Sequence, residues 1–154
     1  MENLATQASP FDDGEVYESF LGGLDYGIDF YVELARAAQG PVLEIACGTG
    51  RIALPCLEGG ADLDGLDLYE SMLETFLKKA AAKGYSPRLY RADMSDFALP
   101  RRYALITITF NAFVHNLTQE AQIGCLTCCR RHLAPARVRF PFGWHLSTSR
   151  TART

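Results

Sequence analysis

Short apolar runs alternate with longer amphipathic stretches along this chain, and glycine or proline marks most of the boundaries. Glu15 to Phe20 and Asp25 to Ala38 read as helical, the second with Ile28, Tyr31, Val32 and Ala35 at helical spacing. Gly40-Pro41 ends that stretch. Val42 to Ala46 is an apolar run that predicts a first strand. A turn through Gly48 and Gly50 opens a helix to about Leu57, which Gly59-Gly60 breaks. Ala61 to Asp67 predicts a second strand. Ser71 to Glu74 has the form of a capping box and starts a helix to Ala82, with Met72, Phe76 and Ala80 facing inward. Gly84 ends it. Pro87 to Tyr90 predicts a short third strand, placed near a sheet edge by its proline. Tyr103 to Phe110 is continuously apolar, as a strand buried on both faces would be. Thr118 to Leu133 predicts the next helix.

Strands and helices alternating in this order argue an α/β fold, a parallel sheet covered on both sides. The 154 residues suit one domain, and an apolar share of 48% is enough for a core. Residues 1–13 read as a loose N-terminus, 14–135 as the domain, and 136–154 as an atypical basic C-terminal segment. Met1 to Asp13 lacks the apolar stretch of a secretion signal, and no apolar run is long enough to cross a bilayer. The expectation is a cytoplasmic protein without membrane contact.

The glycine-punctuated turn is the most informative stretch. Val42-Leu43-Glu44-Ile45 runs into Ala46-Cys47-Gly48-Thr49-Gly50-Arg51. Glycine takes positive φ freely and lets another molecule approach the backbone. A strand entering such a turn and then a helix is a nucleotide-binding arrangement, with the ligand beyond the strand's carboxyl end. Gly65-Leu66-Asp67-Leu68 closes the second run, and Ala92-Asp93-Met94 follows the third. Gly48 to Ala53 also fits the G-x-G-x-x-A of nicotinamide-binding domains, with Asp67 downstream as a ribose acceptor.

These pieces, with Thr109-Phe110-Asn111 and Leu133-Ala134-Pro135, resemble a class I S-adenosylmethionine-dependent methyltransferase of the small, stand-alone type. The resemblance covers about residues 15 to 135. It implies a three-layer, Rossmann-like parallel sheet flanked by helices, in strand order 3-2-1-4-5-7-6, with the last strands of the usual seven missing here. It implies S-adenosylmethionine as cofactor and S-adenosylhomocysteine as product. It assigns Glu44 to the cofactor's amino-acid end, and the turn residues Ala46, Cys47, Gly48, Gly50 and Arg51 to cofactor binding. Asp67 would accept from the ribose hydroxyls, with Leu68 and Met72 flanking adenine. Asp93 would accept from the adenine amino group, with Met94 on the ring. Phe110 and Asn111 would stand at the reacting centre. His115 is the candidate base, since its ordinary pKa lies near physiological pH. Tyr17 and Tyr26 are candidates for the cavity mouth, against ordinary packing. Glu44 before the turn and Asp93-Met94 after the third strand favour the methyltransferase over the nicotinamide reading. A small-molecule acceptor is the expectation.

Charge changes the picture at the C-terminus. Residues 1–120 hold all eighteen acids against nine basic residues, whereas 121–154 hold six arginines and no acid. An acidic body repels phosphate, so nucleic acid is not expected as a partner despite the basic tail. After Pro135 the resemblance calls for a Gly-Gly turn and an apolar strand, where Ala136-Arg137-Val138-Arg139-Phe140 stands instead. A frameshift or aberrant truncation near residue 136 accounts for this; a divergent natural terminus is the alternative. Either way the missing strands leave an open sheet edge, which invites a homodimer. Cofactor binding is then expected to survive better than turnover, and a non-catalytic remnant is a further reading. Five cysteines without framework spacing imply reduced thiols. Cys125, Cys128, Cys129 and His132 share a helical face and read as buried side chains rather than zinc ligands, so no metal site is expected.

Overall fold

The computed structural model describes residues 11–21 and 23–135. A four-stranded sheet stands in the order β3-β2-β1-β4, all neighbours parallel. Its strands are β1 (Val42–Ile45), β2 (Leu63–Asp67), β3 (Arg88–Arg91) and β4 (Leu105–Ile108). The helices are α1 (Gly14–Leu21), α2 (Ile28–Ala37), α3 (Ala53–Glu58), α4 (Glu70–Ala82) and α5 (Gln119–His132). A 3-10 turn covers Ala112–His115.

Alternation along β1 divides the core. Val42 faces a cluster with Ala53, Leu54, Cys56, Leu73, Phe76 and Ala80, drawn from α3 and α4. Leu43 and Ile45 face the opposite cluster with Leu66, Phe97, Tyr103 and Cys128. Successive side chains of a strand point to opposite faces, so four residues of β1 suffice to hold both layers. Met72, Phe76 and Ala80 point inward from α4, as their spacing predicts. The fold is the three-layer α/β arrangement expected, and the sheet order agrees with its 3-2-1-4 portion.

Several boundaries differ from the sequence reading for identifiable reasons. Helix α4 begins at Glu70 with Tyr69 as its N-cap, so Ser71 caps nothing. The cap falls two residues earlier, where Asp67 Oδ1 accepts from Tyr69 N at 3.0 Å. Ser71 Oγ instead donates to Phe11 O at 3.2 Å. Helix α2 starts at Ile28 rather than Asp25 because Gly27 stands at φ 77°. Strand β4 is shorter than Tyr103–Phe110 and only half-buried, not covered on both faces. It is the edge of the described sheet, and Phe110 leaves it at φ 51°. The order does continue past β4 for one step: Tyr103 bridges Leu133 in parallel, and Ala134 N donates to Tyr103 O at 2.8 Å. The expectations for the basic segment 136–154 lie outside the described residues.

Thr118 caps α5 by accepting from Ala121 N at 3.1 Å. Cys125, Cys128 and His132 are buried along that helix, and Cys129 is half-buried. His132 Nε2 accepts from Leu99 N at 2.9 Å, and Nδ1 donates to Cys128 O at 2.7 Å. Both ring nitrogens are thereby spent on backbone, which leaves none for a metal ion.

At the amino end of the sheet, Asp64 is fully buried and heavily paired. Its carboxylate accepts from Tyr103 Oη at 2.9 Å, Arg88 Nε at 3.0 Å and an Arg101 nitrogen at 3.0 Å. Asp62 extends the cluster to both arginines. Removing a shared acceptor from a buried network costs more than a surface pair returns. Asp64→Ala is therefore expected to lower stability by about 3 kcal/mol. Urea unfolding followed by circular dichroism checks this, and an unshifted midpoint would show that the cluster contributes nothing net.

Candidate functional site

A cavity of about 490 Å³ opens at the carboxyl edge of the sheet. That size falls within the range of small-molecule sites. The turn after β1 forms its floor. Ala46 leaves the strand at φ 55°, and Gly48 and Gly50 follow at φ 54° and 81°. The two glycines serve different ends. A Cβ on Gly48 would meet nothing within 4 Å, so its place is set by backbone conformation and leaves open space. A Cβ on Gly50 would lie 2.3 Å from the Phe76 ring, so that position is set by packing against α4.

Glu44, in β1, is buried in this floor. Register places it opposite Gly65 and Thr107. Its Oε1 accepts from Thr109 Oγ1 at 2.8 Å, while Oε2 is buried without a hydrogen-bond partner. Thr49 Oγ1 is buried and unpartnered as well. Both residues line the cavity. Burial pushes the Glu44 carboxyl up to about 8; the Thr109 bond, the Arg51 charge and the Ala53 backbone N–H oppose the shift, and the Asp67 charge adds to it. A buried acceptor and hydroxyl left open toward a cavity are unfinished hydrogen bonding. An amino-acid group carrying an ammonium and a carboxylate would complete it.

Asp67 ends β2 and lines the cavity. Its Oδ2 accepts from Gly48 N at 2.8 Å and its Oδ1 from Tyr69 N. The same carboxylate thus pins the glycine turn and starts α4. Burial pushes it up, against the pull of the N–H groups of Tyr69 and Gly48. Asp93 stands after β3, where its Oδ1 accepts from Ser95 N and Ser95 Oγ, each at 2.7 Å. That is a turn closed by an acid, and the residue also lines the cavity. Met94 accepts through sulfur from Asn116 Nδ2 at 3.1 Å, tying the wall after β3 to the loop after β4.

The opposite wall combines the end of β4 with the N-terminal segment. Phe110 and Asn111 both sit in the left-handed region, at φ 51° and 61°. Arg51 reaches across from the glycine turn. Its guanidinium lies 4.5 Å from the Phe110 ring centroid and donates to Leu24 O at 3.1 Å and Tyr26 O at 3.2 Å. The Phe11 ring packs on Tyr17, Tyr69 and His115, with centroids 5.8, 5.6 and 5.4 Å apart. Tyr17 lines the cavity, and burial pushes its hydroxyl up.

Most of the predicted positions converge here. Glu44, Ala46, Cys47, Gly48, Arg51, Asp67, Leu68, Met72, Asp93, Met94, Phe110 and His115 all line the cavity. Gly50 lies behind it, and Asn111 and Tyr26 are not part of its wall; Tyr26 is 84% exposed. Sequence reasoning missed Thr49, Tyr69, Thr109, Asn116 and Phe11 as wall residues. Thr49 sits inside the glycine turn and Thr109 just before Phe110, so position alone could have flagged both. Phe11 carries no local signal, because its place depends on contacts sixty residues and more away.

A parallel α/β sheet with a glycine turn and acids at the ends of β1 and β2 defines a nucleotide-type cofactor site. Residues 42–136 match the family described as "Methyltransferase domain", and the chain belongs to that family. That family is the class I S-adenosylmethionine-dependent methyltransferases. Among relatives, it is 30% identical over 152 residues to a dTDP-3-amino-3,6-dideoxy-alpha-D-glucopyranose N,N-dimethyltransferase of Streptomyces fradiae, covering 90% of this chain and 57% of that one. It is 29% identical to a dTDP-3-amino-3,4,6-trideoxy-alpha-D-glucopyranose N,N-dimethyltransferase of Streptomyces venezuelae, over 82% of this chain and 55% of that one. The chain thus spans little more than half the length of these relatives. Among solved structures, the CcbJ methyltransferase from Streptomyces caelestis superposes with a TM-score of 0.72 at 29% identity, over 82% of this chain and 54% of that one. The glycopeptide N-methyltransferase MtfA, complexed with S-adenosyl-L-methionine, gives 0.62 at 31%, over 75% of this chain and 49% of that one.

The Glu44 carboxyl carries a sign that can be checked. Its folded pKa is raised, so its contribution to stability is fully present below about pH 4.5 and is lost as pH rises through about 8. Glu44→Gln removes this dependence. Relative to wild type, the Gln variant is expected to gain stability steadily from pH 5 to 8, measured by urea unfolding at each pH. Parallel curves for the two proteins would show that Glu44 does not titrate in this window.

Proposed function

We propose that this cavity binds S-adenosylmethionine and that the chain directs its methyl group to the nitrogen of a small-molecule acceptor. The observation that carries the cofactor half is the pair of unpartnered buried atoms, Glu44 Oε2 and Thr49 Oγ1, in the wall beside Gly48. A carboxylate there accepts from the cofactor's ammonium. Asp67 has lone pairs left for the ribose diol beside its two backbone donors. Leu68, Met72 and Met94 give the apolar wall for adenine, with Asp93 at its rim. Support for a nitrogen acceptor comes from the relatives, whose names describe N-methyl transfer to amino sugars and a glycopeptide.

The bound cofactor supplies an already activated methyl group. The chain's own task is then to hold the acceptor in line, which can account for much of a rate enhancement. His115 lines the same cavity and is the group placed to take a proton from an ammonium acceptor before transfer. Asn111 lies outside the wall and has no part in this reading.

Calorimetric titration with S-adenosylhomocysteine, with NADH as control, tests the proposal. Saturable binding of the former alone is expected. Asp67→Ala and Glu44→Gln should each weaken it about tenfold, the loss of one good charged contact. An ammonium beside Glu44 drives its proton off, so binding near pH 7 should release protons in wild type and release fewer in Glu44→Gln. Titration in two buffers of different ionisation enthalpy measures this. Binding of NADH, or none of S-adenosylhomocysteine by folded protein, would overturn the assignment.

A further inference from the structure

Arg51 lines the cofactor cavity, yet its guanidinium is committed elsewhere. Two of its contacts are backbone carbonyls in the link between α1 and α2, at Leu24 and Tyr26. The third is the face of Phe110, a residue held at φ 51°. A side chain with a Cβ resists this region of backbone space, and such a conformation persists only where the surroundings hold it. Three chain segments therefore meet on one side chain: the turn after β1, the end of β4 and the N-terminal link.

We propose that Arg51 is a positioning residue that pins the Leu24–Tyr26 link onto Phe110, so that it shapes the cavity rim beside the β4 end instead of binding cofactor charge. Arginine is suited to this and lysine is not. A planar guanidinium stacks on a ring while its edge donates to two carbonyls, whereas an ammonium is a compact point charge. The pinned link follows α1, which carries Tyr17 over the cavity and is tied to α4 through Lys79–Glu18 at 2.7 Å and Lys78–Glu15 at 3.1 Å. At its near end Phe11 is held by Ser71. The segment that closes the cavity is thus anchored on α4 at its start and on Arg51 at its end. Loss of the Arg51 anchor frees the rim where an acceptor must pass.

The inference rests on the cofactor reading of the cavity, so its test has an arm that does not need cofactor. Phe20, in α1 just before the link, and Tyr26, within it, are 79% and 84% exposed, which makes them chymotrypsin sites. Native-state cleavage there reports local opening. The proteins are wild type, Arg51→Lys, Arg51→Ala and Phe110→Leu, each first shown to be folded by circular dichroism. The expected result is that Lys and Ala speed cleavage alike, by about tenfold, and that Phe110→Leu follows in the same direction because it removes the other side of the stack. Titration with S-adenosylhomocysteine is the second readout. Arg51→Lys should weaken it as much as Arg51→Ala does, since charge is not what Arg51 supplies. Wild-type protection and affinity in Arg51→Lys would overturn the proposal in favour of a charge role. Unchanged cleavage in all variants would overturn it outright. If wild type fails to bind S-adenosylhomocysteine, the cofactor reading falls while the cleavage arm still decides the role of Arg51. If one Arg51 variant fails to fold, Phe110→Leu and the other keep the comparison decisive.

Discussion

A carboxyl group shut away from water ties β1 to the segment leaving β4 where the cavity begins, and the site depends on it. Glu44 lies in β1, and the hydrogen bond from Thr109 ties it to the residue that follows β4. Burial keeps its proton on up to about pH 8, so in the free protein the group is mostly a neutral acid with one oxygen satisfied. Desolvating an acid without a partner costs free energy, and folding must offset that cost elsewhere. Here the offset comes from the apolar layers on both sides, which Val42, Leu43 and Ile45 of the same strand pin together.

The strain beside this carboxyl has the same logic. Ala46, Phe110 and Asn111 are non-glycine residues at positive φ, and they stand just past the ends of β1 and β4. Each strand turns sharply away at the edge of the cavity. Asp67 holds one turn by accepting from Gly48 N, and Arg51 covers the other by stacking on Phe110. Side chains at the cavity thus fix backbone at the cavity, which limits how far the site can relax. Conformations of this kind are expected where a fold gives up local comfort for shape.

Much of this was legible in the sequence because it is local. Glu44, the glycine turn, Asp67 and Asp93-Met94 announce themselves by residue type and by their place after apolar runs. The helix and strand order follows from period and breakers, and the parallel sheet follows from that order. What could not be read depends on distant contacts. Nothing in Phe11 predicts that its ring will rest on Tyr69 and His115. Ser71 fits a capping box by spacing, but its hydroxyl goes to Phe11 O, because Asp67 has already turned the chain at Tyr69, two residues earlier. Asn111 lies in the right motif, yet it is not among the residues of the cavity wall, although its neighbours Phe110 and Ala112 are. The apolar run at Tyr103–Phe110 promised a strand buried on both faces, whereas burial of β4 depends on what lies beyond it in the sheet.

Two buried acids at opposite ends of the sheet show how the fold separates stability from function. Asp64 is enclosed at the amino end with Tyr103, Arg88 and Arg101 around it, and every lone pair has a candidate donor. Such a group is spent on the protein itself. Glu44 is as deeply buried at the carboxyl end, yet the Thr109 hydroxyl is its one side-chain donor and its Oε2 lies within hydrogen-bond distance of no donor. The nearby cation that could have neutralised it, Arg51, is directed instead to two carbonyls and a ring. A protein selected for stability alone would not keep an acid in that condition, because pairing it or replacing it with an apolar group costs less. The unsatisfied oxygen, on the floor and beside the glycine turn, fits the proposal that its donor arrives with the ligand.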